Sequence, residues 1–290
     1  MTKADSIMDF QRYDSIDSFR ADVLPVLLEN EVQNNLLLGL IDEDRSHNTE
    51  DWLLATVTDR AGEIKLTAIC AKPFGIMLYE TGNNRCNAAL SLLTGEIRRL
   101  GYTPSGVMAR CGLGQRFCES SSTVDIITQH RVIVAMQLDR LNNHENVSGR
   151  CRTLENCDMF FAPYWERAFS EECRSTVFSI SDNVKRIRKR LGMNSHFIWE
   201  DGVPVSQAVH GRDTPNGAVI NLVYTPPHYR GRGYATAIVA ALSGSLLERG
   251  RSFCCLFAEA DNPISRGIYN KLGYHDVCEL EDIRFRLRVK

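Results

Sequence analysis

The clearest chemical signal in this sequence is a turn rich in proline, glycine and arginine at residues 225–235, which read TPPHYRGRGYA. The almost wholly apolar residues 218–224 precede it, and a helical pattern with Ile238, Leu242 and Leu246 follows it. This order predicts a buried strand, a tight turn and a helix. The first turn of a helix has unpaired N–H groups and the positive end of the helix dipole, so the segment is suited to binding an anion.

The residue types in the turn support this interpretation. Two successive prolines cannot donate to a sheet ladder, so we expect the strand to part from a neighbour and leave the amides near Val223 and Thr225 available to a ligand. Gly231 and Gly233 lack a Cβ, which allows a sharp turn and close approach of a bulky anion. The neighbouring arginines add positive charge. A basic turn without any ligand is the alternative.

Residues 230–235 resemble the signature of the GNAT superfamily of acyl-CoA-dependent N-acyltransferases. That signature is Gln/Arg-x-x-Gly-x-Gly/Ala, and Arg230, Gly233 and Ala235 occupy its fixed positions. The resemblance implies that acetyl-CoA is the co-substrate, that amides of the turn hold its pyrophosphate, and that amides of the preceding strand hold its thioester carbonyl and pantetheine. The donor-binding residues implied in this segment are Val223, Tyr224, Thr225, Arg230, Gly231, Arg232, Gly233, Tyr234, Ala235 and Thr236.

A second motif begins about thirty residues after the turn. The apolar residues 254–258 predict another strand, and Asn262 followed by proline is typical of a helix start. We expect this helix to bury Ile264, Ile268 and Leu272 and to end at glycine.

Asn262, Ser265 and Tyr269 share a different face of that helix, which by itself is more typical of an exposed polar surface. The pattern N-P-x-S-x-x-x-Y-x-K-L-G-Y resembles the second GNAT motif, which implies that Asn262 and Ser265 approach coenzyme A and that Tyr269 protonates the departing thiolate. A phenol with a pKa near 10 is protonated at neutral pH, and transfer to a thiolate with a pKa near 8.5 costs only about 2 kcal/mol. A surface aromatic is the alternative role for Tyr269.

Transfer to an amine also requires a base or a water relay, because lysine-like amines are mostly charged at neutral pH. Four residues are candidates for this role, and the sequence does not choose among them: Glu259, Glu200, His210 and His228. Negative charge that develops on the carbonyl oxygen would be met by the strand amides of residues 223–225.

The rest of the second half predicts supporting elements. Val184, Ile187 and Leu191 indicate a helix whose other faces carry five basic residues, typical of a solvated surface or, alternatively, of contact with a polyanion. Residues 196–200 and 203–209 read as strands joined by the Asp-Gly of a tight hairpin.

The first half has no equivalent of the turn signature. Its pattern predicts a helical segment at residues 18–40, doubtful as one helix because of Pro25, then strands, a helix at 88–100 and further strands ending with residues 131–138. The short GLG sequence at 112–114 reads as a turn. The order of elements parallels the second half, so we expect a degenerate GNAT-like copy that has lost cofactor binding and shapes the acceptor pocket.

Composition narrows the possible partners. The 290 residues carry 34 basic and 36 acidic side chains, a net charge of −2 that gives no general attraction to nucleic acid or anionic membrane. We expect no metal site and, from ten cysteines without a disulfide or zinc pattern and no secretory leader, a cytoplasmic protein with reduced thiols.

The sequence thus predicts two α/β domains, at residues 1–145 and 146–290. The second is expected to be a GNAT fold with a mixed, mostly antiparallel central sheet splayed at the cofactor site. The expected function is direct transfer of an acetyl or short acyl group from acetyl-CoA to a primary amine on a small molecule or peptide. A non-catalytic acyl-CoA sensor is the alternative, and transfer to oxygen or use of a larger acyl donor stays open.

Overall fold

The computed structural model describes residues 8–42, 49–71, 75–82 and 85–288. The chain forms two compact units, Met1–Val134 with Cys278–Lys290, and Ala135–Val277. The boundary therefore differs from the expected one after residue 145. The polar stretch near residue 145 packs on a helix of the second unit, where Leu141 faces Gly244 and Val147 faces Gly233.

The first unit contains the first four helices and the first six strands, except for the end of the sixth strand. These elements are β1 (Asp9–Arg12), α1 (Ile16–Leu28), α2 (Asn35–Leu40), β2 (Leu53–Thr58), β3 (Ile64–Cys70), β4 (Ile76–Glu80), α3 (Asn87–Arg99), β5 (Gly106–Arg110), α4 (Leu113–Ser120) and β6 (Val124–Leu138).

The second unit repeats the same order of strand, two helices, three strands, helix, strand, helix and strand. Its elements are β7 (Arg150–Thr153), α5 (Ala162–Glu172), α6 (Ile180–Gly192), β8 (His196–Asp201), β9 (Val203–Asp213), β10 (Gly217–Tyr224), α7 (Tyr234–Glu248), β11 (Phe253–Glu259), α8 (Pro263–Leu272) and β12 (His275–Leu287). Most of β12 belongs to the first unit, because its residues from Cys278 onward pack there.

Strand pairing is mixed and mostly antiparallel in both units. In the first unit β1, β2, β3 and β4 pair antiparallel in sequence, β4 pairs parallel with β5, and β12 pairs antiparallel with β5. In the second unit β7, β8, β9 and β10 pair antiparallel in sequence, and β10 pairs parallel with β11. The expected α/β fold class is confirmed.

The helices of the second unit lie on opposite faces of its sheet. Ile198 of β8 packs in a core cluster with Ala162 of α5 and Ile187 of α6. The next residue, Trp199, faces α7, where Ala237 and Ala240 lie beside it. Because neighbouring strand residues point to opposite faces, α5 and α6 cover one face and α7 covers the other.

Most predicted elements are present, and the differences have local causes. α1 continues through Pro25 and ends at Leu28, so the break in the first helical segment falls later than proline suggested. Gly112 adopts a left-handed conformation before α4, a helix that the short GLG sequence had not indicated. Ile264 of α8 is 76% exposed, so the expectation that it is buried was wrong.

Within the described residues, no helix combines the length and apolar character needed to cross a bilayer.

Candidate functional site

The two parallel strands of the second unit separate as the sequence predicts. β10 and β11 pair only where Gly217–Val219 lie beside Phe253–Cys255, although both strands continue. Further along β10, the pairing advances by three residues, from Asn221 to Tyr224, while it advances by only two residues in β9. This mismatch marks a β-bulge. Leu222 at this bulge has a φ of 51°. The end of β10 therefore leaves the ladder on the side of β11 and exposes main-chain groups to the separation.

The turn after β10 ends in a helix start with free donors. Gly231 and Gly233 have φ values of 76° and 81°, the left-handed conformation that favours glycine. The first hydrogen bond of α7 runs from the Ala237 amide to the Gly233 carbonyl, at 3.0 Å. In the described part of the chain, the amides of residues 231–236 donate no hydrogen bond. The turn thus presents a row of N–H donors, with no side chain capping the helix.

The two arginines of the turn differ in their roles. The Arg230 guanidinium turns back, donating from Nε to the Thr225 carbonyl at 2.9 Å and from Nη2 to both carboxylate oxygens of Glu172 at 2.8 Å. Arg230 therefore braces the turn, which differs from the charge beside the amides that the sequence suggested. Arg232 is exposed and is the arginine whose charge is available to a ligand.

The start of α7 is fixed by a carboxylate from the β8–β9 hairpin. The Tyr234 hydroxyl donates to Asp201 at 2.6 Å, and the Ser148 hydroxyl donates to the same oxygen at 2.8 Å. These hydrogen bonds, with the nearby charge of Arg232, lower the pKa of Asp201. The hairpin thereby holds the first residue of the helix in place.

The second motif forms the expected helix start beside the separation. The Asn262 side chain accepts a hydrogen bond from the Ser265 amide at 3.1 Å and so caps α8. Tyr269 is buried, and its ring meets that of Tyr274 edge-on at 5.8 Å. Burial, with a smaller contribution from the Cys173 thiol, raises the pKa of Tyr269. The alternative of an exposed surface aromatic is therefore wrong for this residue.

The four candidate bases differ in their surroundings. Glu200 pairs with Arg150 and Arg152, and these hydrogen bonds lower its pKa, which makes it a weaker base. His210 bonds the Asp213 carboxylate at 2.7 Å.

The other two candidates flank the separated strands. His228 is exposed and lies against the Tyr229 ring. Glu259 ends β11, with a side chain 13% exposed and paired with Arg174 at 3.3 Å. Of the four, Glu259 lies closest in sequence and strand position to Asn262 and Tyr269.

The basic helix α6 uses part of its charge internally. Arg186 and Arg190 both pair with the buried carboxylate of Glu166 in α5. Burial of Glu166 requires this compensation, because an unpaired buried charge is strongly unfavourable. The structure thus gives two of the five basic residues a structural role that needs no polyanion.

A pocket of about 320 Å³ lies beside α7, between that helix and residues 141–147. Ala237, Ala240 and Trp199 are among its lining residues, and none of the predicted donor-binding residues lines it.

Three residues beside the site have no signal in the sequence. Glu172, Cys173 and Arg174 follow one another at the end of α5. Glu172 contacts the turn, Arg174 contacts the end of β11, and the Cys173 thiol affects the pKa of Tyr269. Their partners lie 58 or more residues away along the chain, so no local pattern connects them.

Comparison with known proteins agrees with this geometry. Residues 201–283 match the family described as FR47-like protein. The chain is similar to a GCN5-related N-acetyltransferase from Sphaerobacter thermophilus, with a TM-score of 0.64 and 15% identity over 98% of this chain and 97% of that chain. It is similar to a GNAT-family acetyltransferase from Colwellia psychrerythraea, with a TM-score of 0.60 and 9% identity over 96% and 100% of the two chains.

A tandem GNAT protein from the clavulanic acid biosynthesis pathway is also similar, with a TM-score of 0.59 and 9% identity over 98% of this chain and 100% of that chain. No curated protein matches the chain. The chain therefore has the GNAT fold. It carries two GNAT-like copies in tandem, which confirms the expectation that the first half repeats the topology of the second.

Proposed function

We propose that the protein is an N-acyltransferase that moves an acetyl or short acyl group from acyl-CoA directly to a primary amine, on a small molecule or a peptide, while both substrates are bound. The observation that carries this proposal is the row of free amides at residues 231–236, placed beside two separating strands. A helix start binds a diphosphate through such amides, and separated strands offer main-chain groups to an extended pantetheine arm.

The residues of the turn fit a coenzyme A diphosphate. Gly233 has a left-handed backbone, and a Cβ at this position would lie 2.9 Å from Val147, so a larger residue would crowd the turn. Arg232 supplies one exposed positive charge. Asn262 and Ser265 stand at the start of α8, on the other side of the separation.

Bound acyl-CoA supplies an activated thioester carbonyl. The amides at the end of β10, from Val223 to Thr225, donate to the carbonyl oxygen as negative charge develops there. Tyr269 delivers its phenolic proton to sulfur as the new N–C bond forms and the C–S bond breaks.

The protonation state of Tyr269 suits this role. Because burial raises the pKa of Tyr269, the phenol keeps its proton at neutral and mildly alkaline pH. The same dry surroundings disfavour a free thiolate, so the proton transfer remains accessible. Glu259, directly or through water, is the proposed group that takes a proton from the acceptor ammonium so that the neutral amine can attack. The second proton, which nitrogen loses after the attack, balances the proton that Tyr269 gives to sulfur.

Two measurements test the proposal. Acetyl-CoA in excess should raise the midpoint of thermal unfolding, since a ligand at about 100 times its dissociation constant adds about 2.7 kcal/mol of stability. Incubation with acetyl-CoA and a panel of primary amines should then release free thiol. No thermal shift would contradict the proposal, and binding without thiol release across the panel would favour the sensor instead.

A further inference from the structure

The end of α5 is tied to β10. Glu172, the last residue of α5, accepts two hydrogen bonds at 2.8 Å from Arg230. Arg230 in turn donates to the carbonyl of Thr225 at 2.9 Å. Glu172 is therefore held at the point where β10 has left β11.

Two residues later, the chain is tied to β11. Arg174 donates to Glu259 at 3.3 Å and to Asp261 at 3.1 Å. Glu259 is the last residue of β11, and Asp261 follows it in the loop before α8. Residues 172–174, which we call the strap, thus contact both sides of the separation between the strands.

The backbone of Arg174 is unusual for a residue with a side chain. Its φ is 49°, and the helix end is closed by hydrogen bonds from Arg174 to the Glu171 carbonyl at 3.2 Å and from Ser175 to the Ser170 carbonyl at 2.9 Å. These are the two bonds of a Schellman motif, in which glycine is the favoured residue at this position. Arginine adopts this left-handed backbone conformation less favourably than glycine, but its side chain makes two ion pairs.

The middle of the strap lies over the reactive end of the proposed site. Cys173 lies between Glu172, which contacts the turn after β10, and Arg174, which contacts the end of β11. Its thiol also contributes to the raised pKa of Tyr269 in α8. On the α5 side of β10, the rings of Trp165 and Tyr224 lie 6.2 Å apart.

We propose that the strap makes the enzyme selective for short acyl groups by closing the α5 side of the separated strands. This inference rests on the proposed function. A donor whose diphosphate sits at the start of α7 threads its thioester toward α5, so the acyl group emerges beneath the strap. An acetyl group fits beneath it, whereas a longer chain must break the ion pairs of Glu172 or Arg174.

The test compares the affinity of the full-length protein for acetyl-CoA and hexanoyl-CoA by isothermal titration, which needs no acceptor. We expect the unaltered protein to bind hexanoyl-CoA at least about tenfold more weakly than acetyl-CoA, the discrimination that a closed pocket provides. Arg174→Gly should reduce this difference to about threefold or less while leaving acetyl-CoA affinity unchanged. Glycine suits the left-handed position, so thermal stability should be kept.

Arg167→Ala is the matched control, because it removes an arginine ion pair from the exposed face of the same helix. Its preference should equal that of the unaltered protein. Equal binding of both donors by the unaltered protein would overturn the inference, as would an unchanged preference in a stable Arg174→Gly variant. Absence of binding for both donors would instead overturn the proposed function.

Discussion

The helix that follows the fourth strand begins differently in the two units. In the second unit, the amides of residues 231–236, at the start of α7, donate no hydrogen bond within the described residues. In the first unit, the amide of Cys86, which precedes α3, donates to the Glu80 carboxylate at 2.8 Å. Arg116 of α4 pairs with the same carboxylate and also donates to Asn87 at 3.0 Å.

This difference shows how one fold can keep or lose an anion site. Both units separate their parallel strands, since β4 and β5 pair only where Ile76 and Met77 lie beside Val107 and Met108. A helix start attracts negative charge in either unit. In the first unit the carboxylate of Glu80 supplies this negative charge and is neutralised by Arg116. We therefore expect the first unit to bind no coenzyme A.

The largest expected effect comes from removing the feature that sets the second unit apart. Gly233→Val should abolish acetyl-CoA binding, because the side chain crowds the turn and strains its left-handed backbone. Thermal unfolding with and without acetyl-CoA measures this loss. Gly250→Val is the matched control, since Gly250 also has a positive φ and lies in open space just beyond the other end of α7. Retained binding in a folded Gly233→Val protein would remove the basis of the comparison.

A second substitution tests the chemistry of the second unit. Tyr269→Phe should lower kcat by about 100-fold, the usual range for loss of a general acid, while acetyl-CoA affinity stays nearly unchanged. Tyr274→Phe serves as its control, because it loses a buried hydrogen bond to Ser243 and therefore stability without losing the proposed proton donor. An equal loss of affinity in Tyr269→Phe would identify the residue as a binding contact.

Loss of the Glu80 charge in the first unit should change stability and leave acetyl-CoA binding unaffected. Glu80→Gln should lower the free energy of unfolding by about 1–3 kcal/mol, because it leaves the 15%-exposed Arg116 side chain without its charged partner. Urea unfolding measures the change, and acetyl-CoA affinity should not move. Glu96→Gln, which loses an exposed ion pair with Arg99 on the same unit, should cost less than about 1 kcal/mol. A fall in acetyl-CoA affinity in Glu80→Gln would contradict the assigned division of roles.

Acid should weaken the second unit through one buried histidine. Burial, with smaller electrostatic contributions, lowers the pKa of His196 from 6.5 to about 3, so between these values the unfolded chain binds a proton that the folded chain does not. Stability should be complete above pH 6.5 and should fall by roughly 1.4 kcal/mol or less for each pH unit below it. Hydrogen exchange in β8 and β9 should follow this fall, and His196→Gln should reduce it. The exposed His275→Gln should keep the full pH dependence, and an unchanged slope in His196→Gln would contradict this account.

The sequence predicted the second unit best where structure is set by neighbours in the chain. The strand at residues 218–224, the turn and the helix after it lie within one residue of their predicted positions, because apolar runs, prolines and glycines act locally. The cap of α8 by Asn262 follows for the same reason. The positive φ of Leu222 carried no such signal, since leucine has no preference for that conformation.

Elements held by distant charges could not be predicted. β12 buries Glu281 and Asp282, which pair with His130 and Arg131 more than a hundred residues earlier. Buried carboxylates obscure the alternation that marks a strand, and only the folded chain shows what neutralises them. α5 was missed similarly, because Glu166 on its buried face is compensated by α6.

A crystal structure of the full-length protein with coenzyme A tests the central claim most directly. The account predicts one coenzyme A for each chain, with its diphosphate on the amides of residues 231–236 and its pantetheine between β10 and β11. A diphosphate bound at the start of α3, or in the pocket between α7 and residues 141–147, would contradict it.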